Sequence, residues 1–260
     1  MSEQPRALLA EERRARIAAL AAQQGAVRVD ELSALFQVSE VTIRSDLDVL
    51  AERGLLVRDR GGALANARAG LVTAFEQRAG QNLEEKRRIG RAAAQLVQPG
   101  DTIIMDAGTT LMEMARCLRD VAPLTVVTNA LNVALELGGR PDVHVILIGG
   151  SLSRDTISTI GPQAVHDLGE LLVHKAFLGA HAVDPEAGLT DASLEIAQVK
   201  RAMIRAARQA ILLADAAKWG RAGLARVAPL RAVHSLVSDE GLPTEARRAC
   251  AEAGVQLLIA

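Results

Sequence analysis

Residues 27–62, VRVDELSALFQVSEVTIRSDLDVLAERGLLVRDRGG, constrain the fold more than any other stretch of the chain. Leu32, Leu35 and Phe36 stand at i, i+3 and i+4, the spacing of one apolar helix face. Ile43, Leu47 and Leu50 keep helical spacing for a second helix. Gln37-Val38-Ser39 between them reads as a tight turn with one buried apolar residue. Ser39 suits an N-cap, because its hydroxyl accepts from a free N–H of the next helix. Two short helices joined so tightly, over residues 27–46, predict a helix-turn-helix, whose second helix enters the major groove of DNA.

With Ile43, Leu47 and Leu50 facing inward, a turn of about 100° per residue points Val41, Ser45 and Asp48 outward, flanked by Thr42 and Arg44. Small, hydroxylated and guanidinium side chains suit base edges and phosphates. Gly54 stops the helix, and Gly61-Gly62 between apolar residues predicts a β-hairpin, with Arg58 and Arg60 placed to meet phosphates. Residues 1–65 are therefore expected to form a winged helix-turn-helix domain, whose first helix covers 7–23 through Ile17, Leu20 and Ala21. Two helices alone would serve equally well to bind another protein; the wing with its arginines favours double-stranded DNA.

Residues 1–69 hold ten Arg and ten acidic residues, and the whole chain carries a net charge of −1. Affinity for DNA must then come from local arginines, not from a basic surface. With three Phe, one Trp and no Tyr, the core is aliphatic. Cys117 and Cys250 match no metal spacing and read as reduced thiols in helix packing. His144, His166, His174, His181 and His234 form no H-x-H or H-x-x-x-H pair, so no metal site is expected, and no cofactor either. The absence of a signal sequence or membrane-length apolar run points to a cytoplasmic protein.

After the wing, residues 66–81 read as a hinge, beginning with the small residues of NARAG (66–70). A long helix is expected over 82–97, capped by Asn82 and ended by Pro99-Gly100. From Asp101 strands alternate with helices: TIIMD, LTVVT, VHVILIGG, HKAFLGA, ILLAD, HSLVSD and VQLLI are the strands. Continuous apolar strands in this rhythm predict that 82–260 is an open, mostly parallel α/β sheet. Asn129 is expected to cap the helix over 129–137.

Ligands of open α/β sheets bind outside the carboxyl ends of the strands. Those ends carry Asp106, Thr128-Asn129, Gly149-Gly150, Gly179-Ala180, Asp215 and Asp239. Asp106-Ala107-Gly108-Thr109-Thr110 is a strand end turning into a helix N-terminus, where close backbone approach, hydroxyls and first-turn N–H groups suit a phosphate. A capped turn without a ligand has the same sequence signature. Asp215 and Lys218 could grip a sugar hydroxyl and a phosphate, or pair with each other. Lys86 is one of four lysines among 30 basic residues and is a second phosphate candidate. His181, just beyond a strand end, could touch the ligand.

The pattern G-x-V-x-V-x-E-L-x-x-x-F-x-V-S-x-x-T-I-R-x-D-L-x-x-L-x-x-x-G-L-L-x-R-x-x-G-G-A, carried by Gly25 to Ala63, resembles the DNA-binding domain of the DeoR family of bacterial repressors. Two positions depart from it: Ser45, where the family usually has Arg, and Arg60, where it usually has His. The first bears on sequence preference; the second keeps a positive charge. D-A-G-T-T, T-V-V-T-N, Gly149-Gly150, K-A-F-L-G-A, G-L-T-D, E-x-x-x-x-K-R-A-M and L-L-A-D-x-x-K-W-G resemble the DeoR-type sensor domain, a relative of sugar-phosphate isomerases and coenzyme A transferases. The two resemblances span about residues 8 to 240. They imply a phosphorylated sugar or sugar-acid effector, with Lys86, Asp106, Gly108, Thr109, Thr110, Asp191, Glu195, Lys200, Asp215 and Lys218 at the sensor site and Arg78 as a further candidate.

The expected function is a repressor of carbohydrate genes that leaves its operator when a phosphorylated sugar binds. A sugar-phosphate isomerase with an accessory DNA-binding domain is the alternative, with Asp191, Glu195 or Asp215 as general base. A third reading is an architectural DNA binder with an inert second domain. One recognition helix reads only a short half-site, so a homo-oligomer is expected, with copies spaced about 34 Å apart or a multiple of it.

Overall fold

A computed structural model describes residues 10–66, 70–118 and 121–260, and the chain divides into two compact units, Met1–Ala74 and Phe75–Ala260. The first contains α1 (Ala10–Gln24), β1 (Ala26–Arg28), α2 (Val29–Phe36), α3 (Glu40–Glu52), β2 (Leu56–Asp59) and β3 (Gly62–Ala65). Residues 7–9 of the expected first helix lie outside the described residues. Ile17, Ala21, Val29, Leu32, Ile43, Leu47, Leu50 and Leu56 close one core between the helices and an antiparallel sheet of order β1-β3-β2.

Leu35 does not join that core; it is 62% exposed. Helix α2 begins at Val29, which is buried, so Val29, Leu32 and Phe36 define the inward stripe. Leu35 falls about 60° beyond Leu32, on the side away from Val29. Val38 is half-buried against the core. The hairpin turn is Arg60-Gly61 and not Gly61-Gly62, because Gly62 already pairs with Asp59. Gly62 is needed for another reason: a Cβ there would lie 2.1 Å from the Val27 carbonyl oxygen of β1.

Asp46 is the charged residue that holds this unit together. It is buried and accepts from Arg13 Nε at 2.6 Å and Arg14 Nε at 2.8 Å, joining α3 to α1. Arg53 donates twice to Glu11 and Arg14 once, and these hydrogen bonds hold the Glu11 carboxyl down at about 2.

The expected hinge contains a helix, α4 (Gly70–Gly80); residues 67–69 lie outside the described residues. Next come α5 (Leu83–Ala94), β4 (Thr102–Met105), α6 (Thr109–Cys117), β5 (Leu124–Thr128), α7 (Leu131–Gly138) and β6 (Val143–Leu147). A hairpin of β7 (Ser151–Ser153) and β8 (Ser158–Ile160) leads to α8 (Pro162–Gly169) and β9 (Val173–Gly179). The chain continues through β10 (Ala182–Asp184), β11 (Gly188–Asp191), α9 (Leu194–Ala206), β12 (Ala207–Leu213) and β13 (Ala225–Ala228). It finishes with β14 (Ser235–Ser238), α10 (Thr244–Glu252) and β15 (Gln256–Ile259).

All seven expected strands form one parallel sheet of order β15-β14-β12-β9-β4-β5-β6. Alternate residues feed two cores. Ile103, Met105, Phe177, Ile211 and Leu213 pack with α5, α6 and α7; Ile104, Leu178, Ala210 and Leu212 pack with α8, α9 and α10. Unforeseen from the sequence are the β7–β8 hairpin and the antiparallel sheet of order β10-β11-β13. Asn82 takes the expected N-cap position of α5, at φ +50° and with no cap bond from its side chain, whereas the N-cap of α7 is Ala130 and not Asn129.

From β4 the sheet grows through β5 to β6, then returns to β9 on the other side of β4 and grows outward again. The reversal between β4 and β9 is a topological switch point, which leaves a crevice at the strand ends. Helices α5 and α6 meet beside it at Gly90, where a Cβ would lie 2.7 Å from Met114 N. Gly90→Ala is expected to force these helices apart and to lower stability by about 1–3 kcal/mol. Urea unfolding followed by Trp219 fluorescence measures this; an unchanged or higher midpoint contradicts the close packing.

Candidate functional site

In the first unit the solvent face of α3 is the candidate nucleic-acid surface. Ser39 Oγ accepts from Thr42 N at 3.2 Å and lies 2.9 Å from Thr42 Oγ1, so both hydroxyls fix the start of the helix. Val41 is 73% exposed, and Arg44, Ser45 and Asp48 also face solvent. Arg44 pairs with Glu40 at 2.8 Å, an exposed contact within the helix. Arg58 is engaged inside the unit: Nε meets Asp48 Oδ1 at 2.8 Å and Nη1 donates to the Gly62 carbonyl at 2.7 Å. It fastens the wing to α3. Arg60 occupies the exposed hairpin turn, its N–H donating to Asp59 Oδ1.

The second unit has a cavity of about 290 Å³ at the switch point. Its base is an ion cluster. Lys200 donates to Asp106 Oδ2 and to the Gly179 carbonyl, each at 2.6 Å, and lies 3.6 Å from Asp191 Oδ2. Asp106 Oδ2 also accepts from Gly179 N at 3.0 Å, tying β4 to β9. All three charged groups are buried. Burial works against the Lys200 charge, but Asp106 and Asp191 outweigh it and raise the lysine pKa.

Gly108, Thr109 and Thr110 bring the N-terminus of α6 to the cavity, and Gly108 has no side chain with which to cap it. Around it stand Arg78, Lys86, Asp215 and Lys218. Lys86 is buried and donates to the carbonyls of Arg78 and Gln81, the latter at 2.5 Å. Burial pushes its pKa down, Asp215 opposes this, and Lys218 and Arg78 add to the push. Asp215 accepts from Asn82 Nδ2 at 3.1 Å, which engages the side chain that would otherwise cap the first turn of α5. The cluster therefore gathers three cations around Asp215, with Asp155 also in the lining and Glu113 acting on Lys86.

Asn129 and His181 also border the cavity. Four expected residues do not. Thr128 is buried and structural, donating to the Met105 carbonyl and accepting from Ala130 N. Gly150 serves packing, since a Cβ there would lie 2.5 Å from the Ile160 carbonyl oxygen, and Gly149 lies beside the Gln163 side chain, outside the cavity lining. Glu195 is exposed in the first turn of α9, outside the cavity lining. Conversely, Asp155, Thr156, Ser158 and Ser193 line it without having been anticipated. The first three belong to the β7–β8 hairpin, and Arg78 donates to the Asp155 carbonyl at its tip. The signal was a polar R-D-T turn soon after a glycine pair.

A winged helix-turn-helix joined to an α/β unit with an internal cavity defines a DNA-binding regulator. The DeoR-like helix-turn-helix domain matches residues 13–69, and the DeoR C-terminal sensor domain matches residues 81–240. The HTH-type transcriptional regulator YulB of Bacillus subtilis (strain 168) is 37% identical over 235 residues, covering 90% of this chain and 91% of that protein. The HTH-type transcriptional repressor GlcR of the same organism is 35% identical over 236 residues, covering 91% and 90%. The glycerol-3-phosphate regulon repressor of Escherichia coli (strain K12) is 32% identical over 238 residues, covering 92% and 94%. The chain belongs to the DeoR family of transcriptional regulators. It is a regulator and not an enzyme, so the isomerase alternative falls.

Removing Lys200 would leave two buried carboxylates without their counter-charge. Lys200→Met is expected to cost about 3–5 kcal/mol of stability at neutral pH. With its pKa raised in the folded state, the contribution of Lys200 is complete below the ordinary lysine value and fades only as pH rises through the raised one. Denaturant unfolding of wild type and variant across neutral to alkaline pH checks both statements; equal stability at pH 7 contradicts the first.

Proposed function

We propose that this protein represses genes of carbohydrate metabolism and leaves its operator when a phosphorylated sugar or sugar derivative fills the cavity of the α/β unit. One observation carries the reading: the N-terminus of α6 and the cations Arg78, Lys86 and Lys218 converge on one small cavity. Helix N-termini favour anions through free N–H groups and the helix dipole. The Lys86 pKa is lowered mainly by burial, with Lys218 and Arg78 adding to it, and an anion in the cavity would offset the part that the cations contribute. The names of the relatives, a glycerol-3-phosphate regulon repressor among them, agree with this chemistry.

A ligand shifts DNA affinity only by binding the DNA-free and DNA-bound arrangements unequally. Lys86 joins the cavity to α4 through the Arg78 carbonyl, and α4 is the next described element in sequence after the wing. A phosphate that draws on Lys86 therefore acts on the end of the connecting helix. The repressor works as a homo-oligomer on two half-sites, since a single α3 reads too few base pairs for useful specificity.

Two sets of variants test the two units. Arg44→Ala is expected to weaken binding to operator duplex by roughly 1–3 kcal/mol, read by fluorescence anisotropy over a salt series. Unchanged affinity and salt slope would mean that α3 presents another face. Lys86→Ala and Asp215→Asn are expected to hold the operator as wild type does, yet stay bound when phosphorylated sugars are added. Release of both variants at wild-type concentrations of the compound would refute the sensor cavity.

A further inference from the structure

The cavity has a second chemical character besides its cations. Asn129 follows β5 and is 2% exposed. Its backbone carbonyl accepts from Thr159 N at 2.8 Å, and its side-chain Nδ2 donates to the Thr159 carbonyl at 2.8 Å. The second bond fixes the amide orientation, because the reversed amide would set two carbonyl oxygens against each other. Oδ1 is thus directed away from β8, and among the described residues it has no hydrogen-bond partner. A buried acceptor without a partner is unusual enough to require an explanation.

Asn129 borders the cavity, together with Thr156 and Ser158 of the β7–β8 hairpin. The hairpin tip is itself under constraint. Ile157, a β-branched residue, sits at φ +52°, and its carbonyl accepts from Leu131 N at 3.0 Å. Such a backbone persists only where the surroundings enforce it. The wall beside Asn129 is therefore held in one arrangement, and Oδ1 is a buried, unmatched acceptor on a residue of that wall.

We infer that Asn129 Oδ1 is a specificity-determining acceptor, which receives a hydroxyl group of the bound phosphorylated compound. The inference rests on the sensor reading above and adds a requirement to it. An amide oxygen repels phosphate oxygens and matches a donor that carries no charge. The cations would hold the phosphate and Asn129 would read the carbon skeleton, so phosphorylated polyols and sugars are preferred over inorganic phosphate and simple alkyl phosphates. A buried polar group left unpaired by the wrong ligand discriminates more strongly than an apolar contact does.

The experiment is calorimetric titration of the full-length protein with inorganic phosphate, glycerol 3-phosphate, ribose 5-phosphate and glucitol 6-phosphate. At least one polyol or sugar phosphate is expected to bind wild type tenfold or more tighter than inorganic phosphate. Asn129→Ala should reduce that advantage by tenfold or more while leaving inorganic phosphate within twofold. An unchanged advantage in the variant, or an equal loss for every probe, overturns the inference. If inorganic phosphate binds and no polyol phosphate binds better, the hydroxyl reading fails and the anion site survives; if no probe binds, the sensor reading fails with it. Because Asn129 also holds β8, the variant could fail to fold. Single-deoxy analogues of the tightest compound then decide on wild type: one should lose tenfold or more, and binding within twofold for all of them overturns the inference.

Discussion

The contact between Asp106 and Lys200 sets the terms for the rest of the α/β unit. A parallel sheet that reverses its winding must separate two connections at the reversal, and nothing in the strand ladder closes that gap. Here one carboxylate oxygen accepts from Lys200 and from Gly179 N together, so an end of β4, an end of β9 and the middle of α9 are held at one atom. Two charges buried so deeply are tolerable only because each has several partners; a bare pair would lose more in desolvation than it gains. The same closure gives the crevice a rigid base, and every other cavity residue is placed relative to it.

The helices that border the crevice divide the work by charge. Helix α6 presents its amino end, α5 supplies Lys86, and the segment beyond β12 supplies Asp215 and Lys218. At the base Asp106 and Asp191 share the single charge of Lys200, while the carboxylates acting on Lys86 are Asp215 and, more weakly, Glu113. A cavity of about 290 Å³ lies at the small end of the range for ligand sites, which suits a compact metabolite rather than a cofactor.

Much of this was legible in the sequence, and the failures have particular causes. The seven sheet strands were readable because strands buried on both faces are continuous apolar runs. Their order was not, since apolar runs carry no information on neighbours. Asp46 sits three residues after Ile43 and four before Leu50, so it faces inward, yet beside Ser45 and Asp48 it looks like part of a solvated stretch. Asn129 was singled out as a helix cap and proves to bridge β5 to β8 instead, a contact 30 residues distant in sequence. The β7–β8 hairpin escaped notice because its strands are three residues each and mostly polar, with no period to detect.

The bond pair made by Arg58 has a consequence for the thermodynamics of recognition. A two-strand wing is a marginal element, and an arm that became ordered only on a duplex would subtract its lost conformational freedom from the binding energy. Arg58 joins β2 to α3 through Asp48 and to β3 through the Gly62 carbonyl, so the arm is already fixed relative to the helix within the free unit. That ordering is charged to folding, once per molecule. Each encounter with a new stretch of duplex then begins with a rigid reader, and dissociation from a wrong sequence regains no disorder in the arm.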